Sequence, residues 1–270
     1  MKNNIEKEFA KTPGDFAMAF KNCQNGETIL INAKENFHAA STMKTPVMIE
    51  VFKQAKAGNF SLDDSILIKN NFKSIVDSSL YNLDAGSDGQ TELYRHIGEK
   101  STLFHLLYEM IIASSNLSTN LIIQLVDAKK VTQTMRDLGA EDIQILRGVE
   151  DEKAFQKGLN NTTTAYDLMI IFDHIANGTA VDKASSDKMI SILLDQEYNE
   201  IIPALLPTNV KVAHKTGSIT GVQHDSGIIF LPDGRKYVLV LLSKNLKDEK
   251  TGVKILAEIS RMVYEKVVKE

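Results

Sequence analysis

Strand-like segments lie at both ends of this 270-residue chain, and helix-like segments lie between them. A sheet strand buries one face against a neighbouring element, so the two separated groups of strands are expected to meet in space. We therefore expect one antiparallel sheet to which both ends of the chain contribute. The strand-like segments are residues 16–20, 28–32, 210–214, 226–231 and 237–242, with hairpin signals at Asn25-Gly26 and at residues 232–235.

Residues 41–192, between the two groups of strands, carry a mostly helical pattern. Apolar residues recur there at the spacing of a helix face, as in residues 103–111. The pattern predicts an α/β (α+β) fold in which residues 1–36 and 193–270 form a discontinuous sheet domain and residues 37–192 an inserted helical domain. The junction of the two domains is the expected place for a cleft.

The composition argues against several classes of function. A formal net charge of −4 disfavours a nucleic-acid-binding protein, which usually carries a basic excess. There is no run of 18 apolar residues, so no membrane span is expected, and the single cysteine, Cys23, cannot form an intrachain disulfide. Residues 1–6 lack the apolar core of an export signal. We expect either a cytoplasmic protein or a periplasmic or secreted protein whose signal has been removed.

The tetrapeptide Ser41-Thr42-Met43-Lys44 is the first motif that carries chemistry. A serine hydroxyl is a weak nucleophile until a base takes its proton, and a lysine three residues later on a helix lies on the same face. At the start of a helix, Ser41 would also lie where backbone N–H groups point at a developing anion. The apolar residues at positions 47–52 predict a buried helix that holds the serine rigidly.

Ser114-Ser115-Asn116 and Lys215-Thr216-Gly217 are two further motifs, and every one of the three motifs has a second copy elsewhere in the chain. Context separates the copies. Ser41 precedes an apolar run, whereas Ser185 stands in a polar patch, and the second Lys-Thr-Gly stands in a charged loop instead of after a strand. The second copies are Ser185 to Lys188, Ser118 to Asn120 and Lys250 to Gly252.

The order of these motifs resembles the active-site-serine penicillin-recognising enzymes, and class A β-lactamases in particular. The resemblance covers most of the chain. Asn120 matches the family's second asparagine, four residues after Asn116, and so selects Ser114 as the serine of the Ser-x-Asn motif. Arg147 is similar to the arginine that opens the family's omega loop, and Thr162-Thr163-Thr164 to the threonine run that closes it.

The resemblance implies a mechanism through an acyl-enzyme, with a β-lactamase-like fold. Ser41 would attack the carbonyl carbon, Lys44 would help to remove its proton, and Ser114 would pass a proton to the leaving nitrogen. The backbone N–H groups of Ser41 and Ser218 would form the oxyanion hole, where loss of one donor typically costs about 10²–10³ in turnover.

For substrate binding, the resemblance implies that Asn116 holds the amide side chain of the substrate. Lys215 and Thr216, in the motif that Gly217 and Ser218 continue, would bind its carboxylate. The expected partner is a small molecule, a β-lactam or a related amide or ester. The six histidines show no metal-ligand spacing, so we expect neither a metal nor a cofactor. We further expect a monomer.

The chain departs from the family pattern at the step that frees the acyl group. Class A enzymes use an omega-loop glutamate followed four residues later by an asparagine, whereas here the candidate Glu150 is followed by Ala154. Asn161 replaces the aspartate that pairs with the opening arginine, so that clamp is expected to be lost or rewired. Ser115 replaces the aspartate of Ser-Asp-Asn, which removes one carboxylate, and residues 84–90 have the character of an insertion near the cleft.

Three functions are open at this point. The first is hydrolysis of β-lactams through Ser41. The second is the activity of a related serine peptidase, esterase or amidase that turns over β-lactams poorly. The third is a penicillin-binding or sensing module that is acylated on Ser41 but releases the acyl group slowly, because Glu150 is misplaced.

Overall fold

The computed structural model describes residues 1–269. Strands from both ends of the chain pair in one sheet, as predicted. Within the described residues the strands are β1 (Asp15–Asn22), β2 (Thr28–Ile31), β3 (Phe37–His38), β4 (Ser65–Leu67), β5 (Phe72–Lys73), β6 (Leu80–Tyr81), β7 (Lys100–Thr102), β8 (Thr162–Thr163), β9 (Lys211–Ile219), β10 (Val222–Phe230) and β11 (Lys236–Lys244). The main sheet has the order β2-β1-β11-β10-β9, and its neighbouring strands are all antiparallel.

Helices cover both faces of this sheet. The α-helices in the part of the chain that the structure describes are α1 (Lys2–Phe9), α2 (Lys44–Lys56), α3 (Leu103–Ile112), α4 (Asn116–Val126), α5 (Ala128–Asp137), α6 (Glu152–Gln156), α7 (Ala165–Ala176), α8 (Lys183–Leu194) and α9 (Glu249–Val267). The two terminal helices, α1 and α9, pack on one face, and helices from the middle of the chain pack on the other.

Alternation along β1 explains how one strand serves both layers. Successive side chains of a strand point to opposite faces of the sheet. Ala17 and Ala19 belong to the core shared with the middle helices, where small side chains let those helices come close. Met18 and Phe20 fill the core beneath the terminal helices. Each face buries apolar surface, which is worth about 25 cal/mol per Å².

Two parts of the chain differ from the prediction. Residues 57–102 were expected to be mostly helical, but they form short strand pairs, 3₁₀ turns and loops. This segment is rich in Asn, Asp, Ser and Gly, which favour turns because their side chains compete for backbone hydrogen bonds. The strand expected at residues 210–214 continues to Ile219, so Lys215 and Ser218 lie within β9 and not after it. Pairing with β10 extends it, for example at Thr216 opposite Asp225.

The packing joins the sheet and the middle helices. One continuous apolar core includes Ala213 and Val240 from the sheet together with Val47 from α2 and Leu107 from α3. The division into domains at residues 36 and 193 therefore stays a prediction. Among residues 1–269, no helix combines the length and the apolar character needed to cross a bilayer.

Candidate active site

Ser41 lies in a 3₁₀ turn, Ala40–Met43, that leads directly into α2. The serine was expected on the first turn of the helix itself; the structure places it just before that turn. Ala40 has a φ of +45°, a conformation that costs an L-residue free energy and is often found at functional sites. Helix α2 is buried along its apolar side, including Val47 and Ile49, so the turn that carries the nucleophile rests on the core.

Lys44 is fully buried and its ammonium has three hydrogen bonds. Its Nζ donates to the Ser114 carbonyl at 2.6 Å, to Ser114 Oγ at 3.1 Å and to Asn116 Oδ1 at 2.9 Å. Burial lowers the Lys44 pKa to about 7, although the carboxylates of Asp88 and Glu150 act in the opposite direction. Lysine with such a pKa is partly neutral near pH 7 and able to act as a base.

Ser114 Oγ lies between two buried lysines. It receives a hydrogen bond from Lys215 Nζ at 3.0 Å in addition to the one from Lys44. Burial and the nearby Lys44 lower the pKa of Lys215 well below the usual value for a lysine. Lys215 also donates to the Thr216 carbonyl at 3.1 Å and is fully buried. Its amine therefore lies behind Ser114 and Thr216, where it donates hydrogen bonds to both without being an exposed ligand.

Gly217 brings strand β9 against the nucleophile. A Cβ added at this residue would lie 3.0 Å from both the Ser41 and the Thr42 backbone nitrogens. A side chain would therefore separate the strand from the 3₁₀ turn. Ser218 follows on the same strand and lines the cavities that Ser41 lines. This close approach suits an oxyanion hole built from backbone N–H groups of the two segments.

Two connected cavities meet at Ser41, Asn116 and Ser218. We call the cavity of about 250 Å³ the Thr216 lobe; it is lined by Ser41, Ser87, Gly89, Ser114, Asn116, Tyr198, Thr216, Gly217 and Ser218. We call the cavity of about 350 Å³ the Glu150 lobe; besides the three shared residues, it is lined by His38, Ala40, Met43, Arg147, Val149, Glu150, Asp151, Glu152, Phe155, Asn161, Ile219 and Thr220.

Glu150 is exposed and lines the lobe named after it. Its Oε1 accepts one hydrogen bond, from Asn116 Nδ2 at 2.7 Å. Its φ is +60°, and the preceding Val149 is held at both backbone groups by Asn120, at 2.6 Å and 3.0 Å. The neighbouring Asp151 faces the other way, since its carboxylate accepts hydrogen bonds from Ser74 and from the backbone of residues 75 and 154.

Amides rather than a carboxylate close the segment from Arg147 to Asn161. Arg147 donates to the carbonyls of Leu159 and Gly148 and to the side chain of Asn160. Asn161 Oδ1 accepts from the backbone N–H groups of residues 146 and 147, and its Nδ2 donates to the Arg147 carbonyl. Hydrogen bonds to the side-chain amides of Asn160 and Asn161 thus replace the arginine–carboxylate clamp of the family pattern.

Several residues around the site were not found from the sequence. His38 lines the Glu150 lobe, and its Nδ1 accepts the Ala40 N–H at 3.0 Å; burial, with Arg147 nearby, lowers its pKa. Tyr198 lines the Thr216 lobe from the loop after α8. Asp88 is buried beside the start of α4. The insertion-like character of residues 84–90 was the one sequence signal for Asp88.

His214 and His224, which stand beside Lys215 and Asp225 in the sequence, are buried behind the site. His214 contacts Asp225 at 2.9 Å, and His224 contacts the His38 carbonyl at 2.9 Å. Burial lowers the pKa of His224 to about 4, so it is neutral at physiological pH. In residues 1–269 no group of three or more metal-ligating side chains is close enough to hold an ion.

The second copies of the motifs belong to helix ends. Ser185 lies in the first turn of α8, where its N–H donates to the capping Asp182 side chain. Lys250 lies in the first turn of α9 and its N–H donates to Asp248. Ser118 is buried inside α4. The residues of the second copies thus cap or pack within their own helices. At Ser114, in contrast, the hydroxyl contacts two buried lysines.

Comparison with known proteins gives concordant matches. A family model described as the β-lactamase enzyme family matches residues 1–267. The β-lactamase VEB-1 of Pseudomonas aeruginosa is 22% identical over 274 residues, which cover 96% of this chain and 88% of that protein. Among solved structures, a β-lactamase from Sphaerobacter thermophilus DSM 20745 has a TM-score of 0.83 at 28% identity and covers 97% of this chain and 95% of its own. PBP-A has a TM-score of 0.85 at 25% identity, with 100% and 96% covered.

Proposed function

Because the chain belongs to the β-lactamase enzyme family, we propose that it hydrolyses β-lactams through an ester formed on Ser41. The observation that carries this proposal is that three motifs far apart in sequence line one cleft: Ser41, Ser114 and residues 216–218. The similar proteins VEB-1 and that of Sphaerobacter thermophilus are named as β-lactamases. The two-lobed cavity suits a ligand with an anionic group on one side of the reacting carbonyl and a side chain on the other.

In the proposed acylation, Ser41 Oγ attacks the lactam carbonyl carbon and its proton passes to Lys44 Nζ. Burial supports this role because a pKa of about 7 leaves a large fraction of Lys44 neutral at physiological pH. As the lactam C–N bond breaks, the nitrogen takes a proton from Ser114 Oγ. Lys44 returns a proton to that oxygen across their 3.1 Å hydrogen bond.

Charge develops on the carbonyl oxygen during both steps, and the proposed oxyanion hole is the pair of N–H groups at Ser41 and Ser218. The close approach of Gly217 to the Ser41 turn supports it. The substrate carboxylate would lie in the Thr216 lobe, beside the hydroxyls of Ser114 and Thr216. Lys215 would support it from behind, through the hydrogen bond that its Nζ donates to Ser114 Oγ at 3.0 Å.

For deacylation we assign Glu150 as the base that takes a proton from water. The water oxygen attacks the ester carbonyl carbon, the ester C–O bond breaks, and the proton returns to Ser41 Oγ. Support comes from the placement of Glu150 in a cavity shared with Ser41 and from its hydrogen bond to Asn116. Binding of the substrate's amide by Asn116 would release Glu150 from that hydrogen bond and free it for water.

A chromogenic cephalosporin tests the proposal. The initial burst and the steady rate are recorded together, and the mass of the intact protein is followed for a covalent adduct. We expect many turnovers per enzyme, and we expect Ser41→Ala to abolish both the adduct and the turnover. Ser185→Ala is the matched control, because it changes the serine of the second Ser-x-x-Lys, and it should behave as the parent protein does.

Unchanged hydrolysis in Ser41→Ala would overturn the assignment of the nucleophile. Absence of any reaction in the parent protein, with nitrocefin-type cephalosporins and with benzylpenicillin, would overturn β-lactams as substrates. A panel of aryl esters and peptide amides would then test the related serine hydrolase activities.

A penicillin-binding module is the second candidate, and a specific observation favours it. Glu150 is exposed and its side chain has one hydrogen-bond partner, and the residue four positions later, Ala154, has no polar side chain. A mutant of PBP-A, 24% identical to this chain, has been solved as its acyl-enzyme complex with penicillin-G. A burst of one equivalent followed by a stable adduct mass would select this function over hydrolysis.

We also propose a monomer that acts in the periplasm or outside the cell. Light scattering of the purified protein tests the monomer, and fractionation of the cells that produce it tests the location.

A further inference from the structure

Asp88 is a buried carboxylate that the proposed reaction does not use. It lies in the loop after the 3₁₀ turn Ala85–Ser87, and 7% of its surface is exposed. Its Oδ1 accepts the backbone N–H of Asn116 at 3.0 Å and that of Gln90 at 3.0 Å. Its Oδ2 accepts the N–H of Leu117 at 2.8 Å and the hydroxyl of Tyr94 at 2.8 Å. All four contacts come from donors, an arrangement that suits an ionised carboxylate.

These contacts complete the beginning of α4. The first N–H groups of a helix have no partner within the helix. Ser115 Oγ accepts from the N–H of Ser118, at the third position, whereas Asp88 accepts from Asn116 and Leu117, at the first and second. Asp88 therefore holds the backbone of Asn116, whose side chain contacts both Lys44 and Glu150.

The loop can approach this closely because residue 89 is a glycine. A Cβ on Gly89 would lie 1.9 Å from the Ala113 carbonyl oxygen, so any other residue would push the loop away. Gly89 and the neighbouring Ser87 also line the Thr216 lobe. Ser87 and Gly89 are thus part of the wall of the cleft, and the buried Asp88 lies between them in the sequence.

We propose that Asp88 is a positioning residue for acylation, which holds Asn116 against Lys44 and supplies the buried negative charge that Ser115 lacks. The inference rests on the proposed function of Ser41 and Lys44. In this chain the carboxylate comes from a loop 28 residues before Asn116 in sequence instead of from the middle of the Ser-x-Asn motif.

The charges around Lys44 agree with this role. Lys215 faces it from β9, Glu150 from the segment after Arg147, and Asp88 from the connection between β6 and β7. Burial lowers the pKa of Lys44, and of the two carboxylates that raise it Asp88 has the larger effect. Loss of the Asp88 charge would lower the pKa of Lys44 further, because the protonated amine loses its stronger counter-charge.

Asp88→Asn tests the proposal, because the amide keeps the shape and removes the charge. The acylation rate should rise with pH as Lys44 loses its proton, and we expect this rise to occur at lower pH in Asp88→Asn because the pKa of Lys44 is lower. We also expect the plateau rate to fall about 10-fold with little change in KM, since the single oxygen of the amide cannot replace both carboxylate oxygens that accept from the N–H groups of Asn116 and Leu117. Asp84→Asn is the matched control; it removes an exposed carboxylate from the same loop and should leave both quantities unchanged.

A second measurement does not depend on substrate. The chemical shift of Lys44 Cε is followed by NMR against pH in isotope-labelled protein, which gives the pKa of Lys44. The titration midpoint should be lower in Asp88→Asn than in the parent protein and unchanged in Asp84→Asn. If the parent protein reacts with no substrate, the proposed function of Ser41 is overturned. The titration of Lys44 still tests the role of Asp88 in that case, because it needs no substrate. If Asp88→Asn does not fold, Asp88→Ser takes its place, because its hydroxyl still accepts one N–H. An unchanged midpoint and an unchanged acylation rate in the folded variant would overturn the proposal.

Discussion

The two lobes of the cleft differ in how firmly their functional groups are held. In the Thr216 lobe, Ser114 Oγ contacts two lysines that are both fully buried, and each lysine has further partners. In the Glu150 lobe, the carboxylate of Glu150 is exposed and accepts one hydrogen bond, from Asn116. One side is anchored in the core, and the other is carried by a surface turn.

The difference separates the two halves of the proposed reaction. Acylation uses groups whose positions depend on core packing, so its geometry is determined before substrate binds. Deacylation uses a group at a turn where Glu150 has a φ of +60°. A catalytic group held by few contacts is easily displaced, and a misplacement of about 1 Å can cost about 10²-fold in rate. We therefore expect acylation to be the robust step and deacylation the sensitive one.

Among variants that keep the nucleophile, Lys44→Met should have the largest effect, and it tests the anchored side. The substitution keeps an unbranched side chain in the buried site and removes the base, so the acylation rate should fall about 10³-fold, within the usual range for general-base catalysis. Stopped-flow measurement of the burst checks it. Lys56→Met, on the exposed end of the same helix, is the control and should acylate normally. A normal burst in Lys44→Met would show that the anchored side is not the acylation machinery.

The same lysine predicts a pH dependence in the parent enzyme. Lys44 acts as a base only when neutral, so kcat/KM should rise with pH through a midpoint of about 7 and level off above it. Below the midpoint it should fall about tenfold per pH unit, because the neutral fraction falls by that factor. A flat profile between pH 5 and 8 would contradict the assignment.

Glu150→Gln tests the surface turn and should have the next largest effect. The amide oxygen still accepts from Asn116, but the group is no longer a base, so the steady rate should fall about 10²-fold while the burst remains. Adduct mass measured over time checks the accumulation of the acyl-enzyme. Glu152→Gln, in the same lobe, is the matched control. If the burst and the steady rate fell together, the proposal that Glu150 acts in deacylation alone would be contradicted.

Gly217→Ala tests the contact that joins both lobes. The added methyl group would lie 3.0 Å from two backbone nitrogens, so the strand or the turn has to shift by a few tenths of an ångström. We expect kcat to fall about 10-fold, less than the 10²–10³ for complete loss of an oxyanion donor. Gly86→Ala is the control, since the nearest atoms to its Cβ are 3.5 Å away. Equal rates in parent and variant would exclude this contact from the oxyanion hole.

Phe155→Ala should have the smallest effect. Half of Phe155 is exposed at the wall of the Glu150 lobe, where its ring lies edge-on to His38 and where we expect the substrate's side chain to bind. Loss of about 1 kcal/mol of apolar contact raises KM about fivefold and leaves kcat unchanged. Leu80→Ala removes another exposed apolar side chain, away from the cleft, and should leave KM unchanged. A fall in kcat would mean that Phe155 positions Glu150.

Much of the architecture was predictable because it depends on neighbours in sequence. The hairpin at Asn25-Gly26, the buried helix after Ser41 and the strands near the end of the chain all follow from local pattern and turn chemistry. Residues 57–102 were predicted wrongly, because short strands with many turn-forming residues carry too little periodicity to identify. Their pairing, as of β4 with β7, is decided by distant segments.

The sequence by itself determined which residues of this protein can do chemistry: a serine with a lysine three residues later, a second serine and a second lysine in a recognisable order. Only the tertiary structure decided what those residues are able to do. Lys44 and Ser114 are 70 residues apart and Ser114 and Lys215 are 101 apart, so their contact, their burial and the lowered pKa of each lysine arise when the chain closes around them. The same holds for Asp88, whose role depends on a glycine that lets its loop touch α4. Burial and charge proximity are properties of packing, and a local sequence pattern does not contain them.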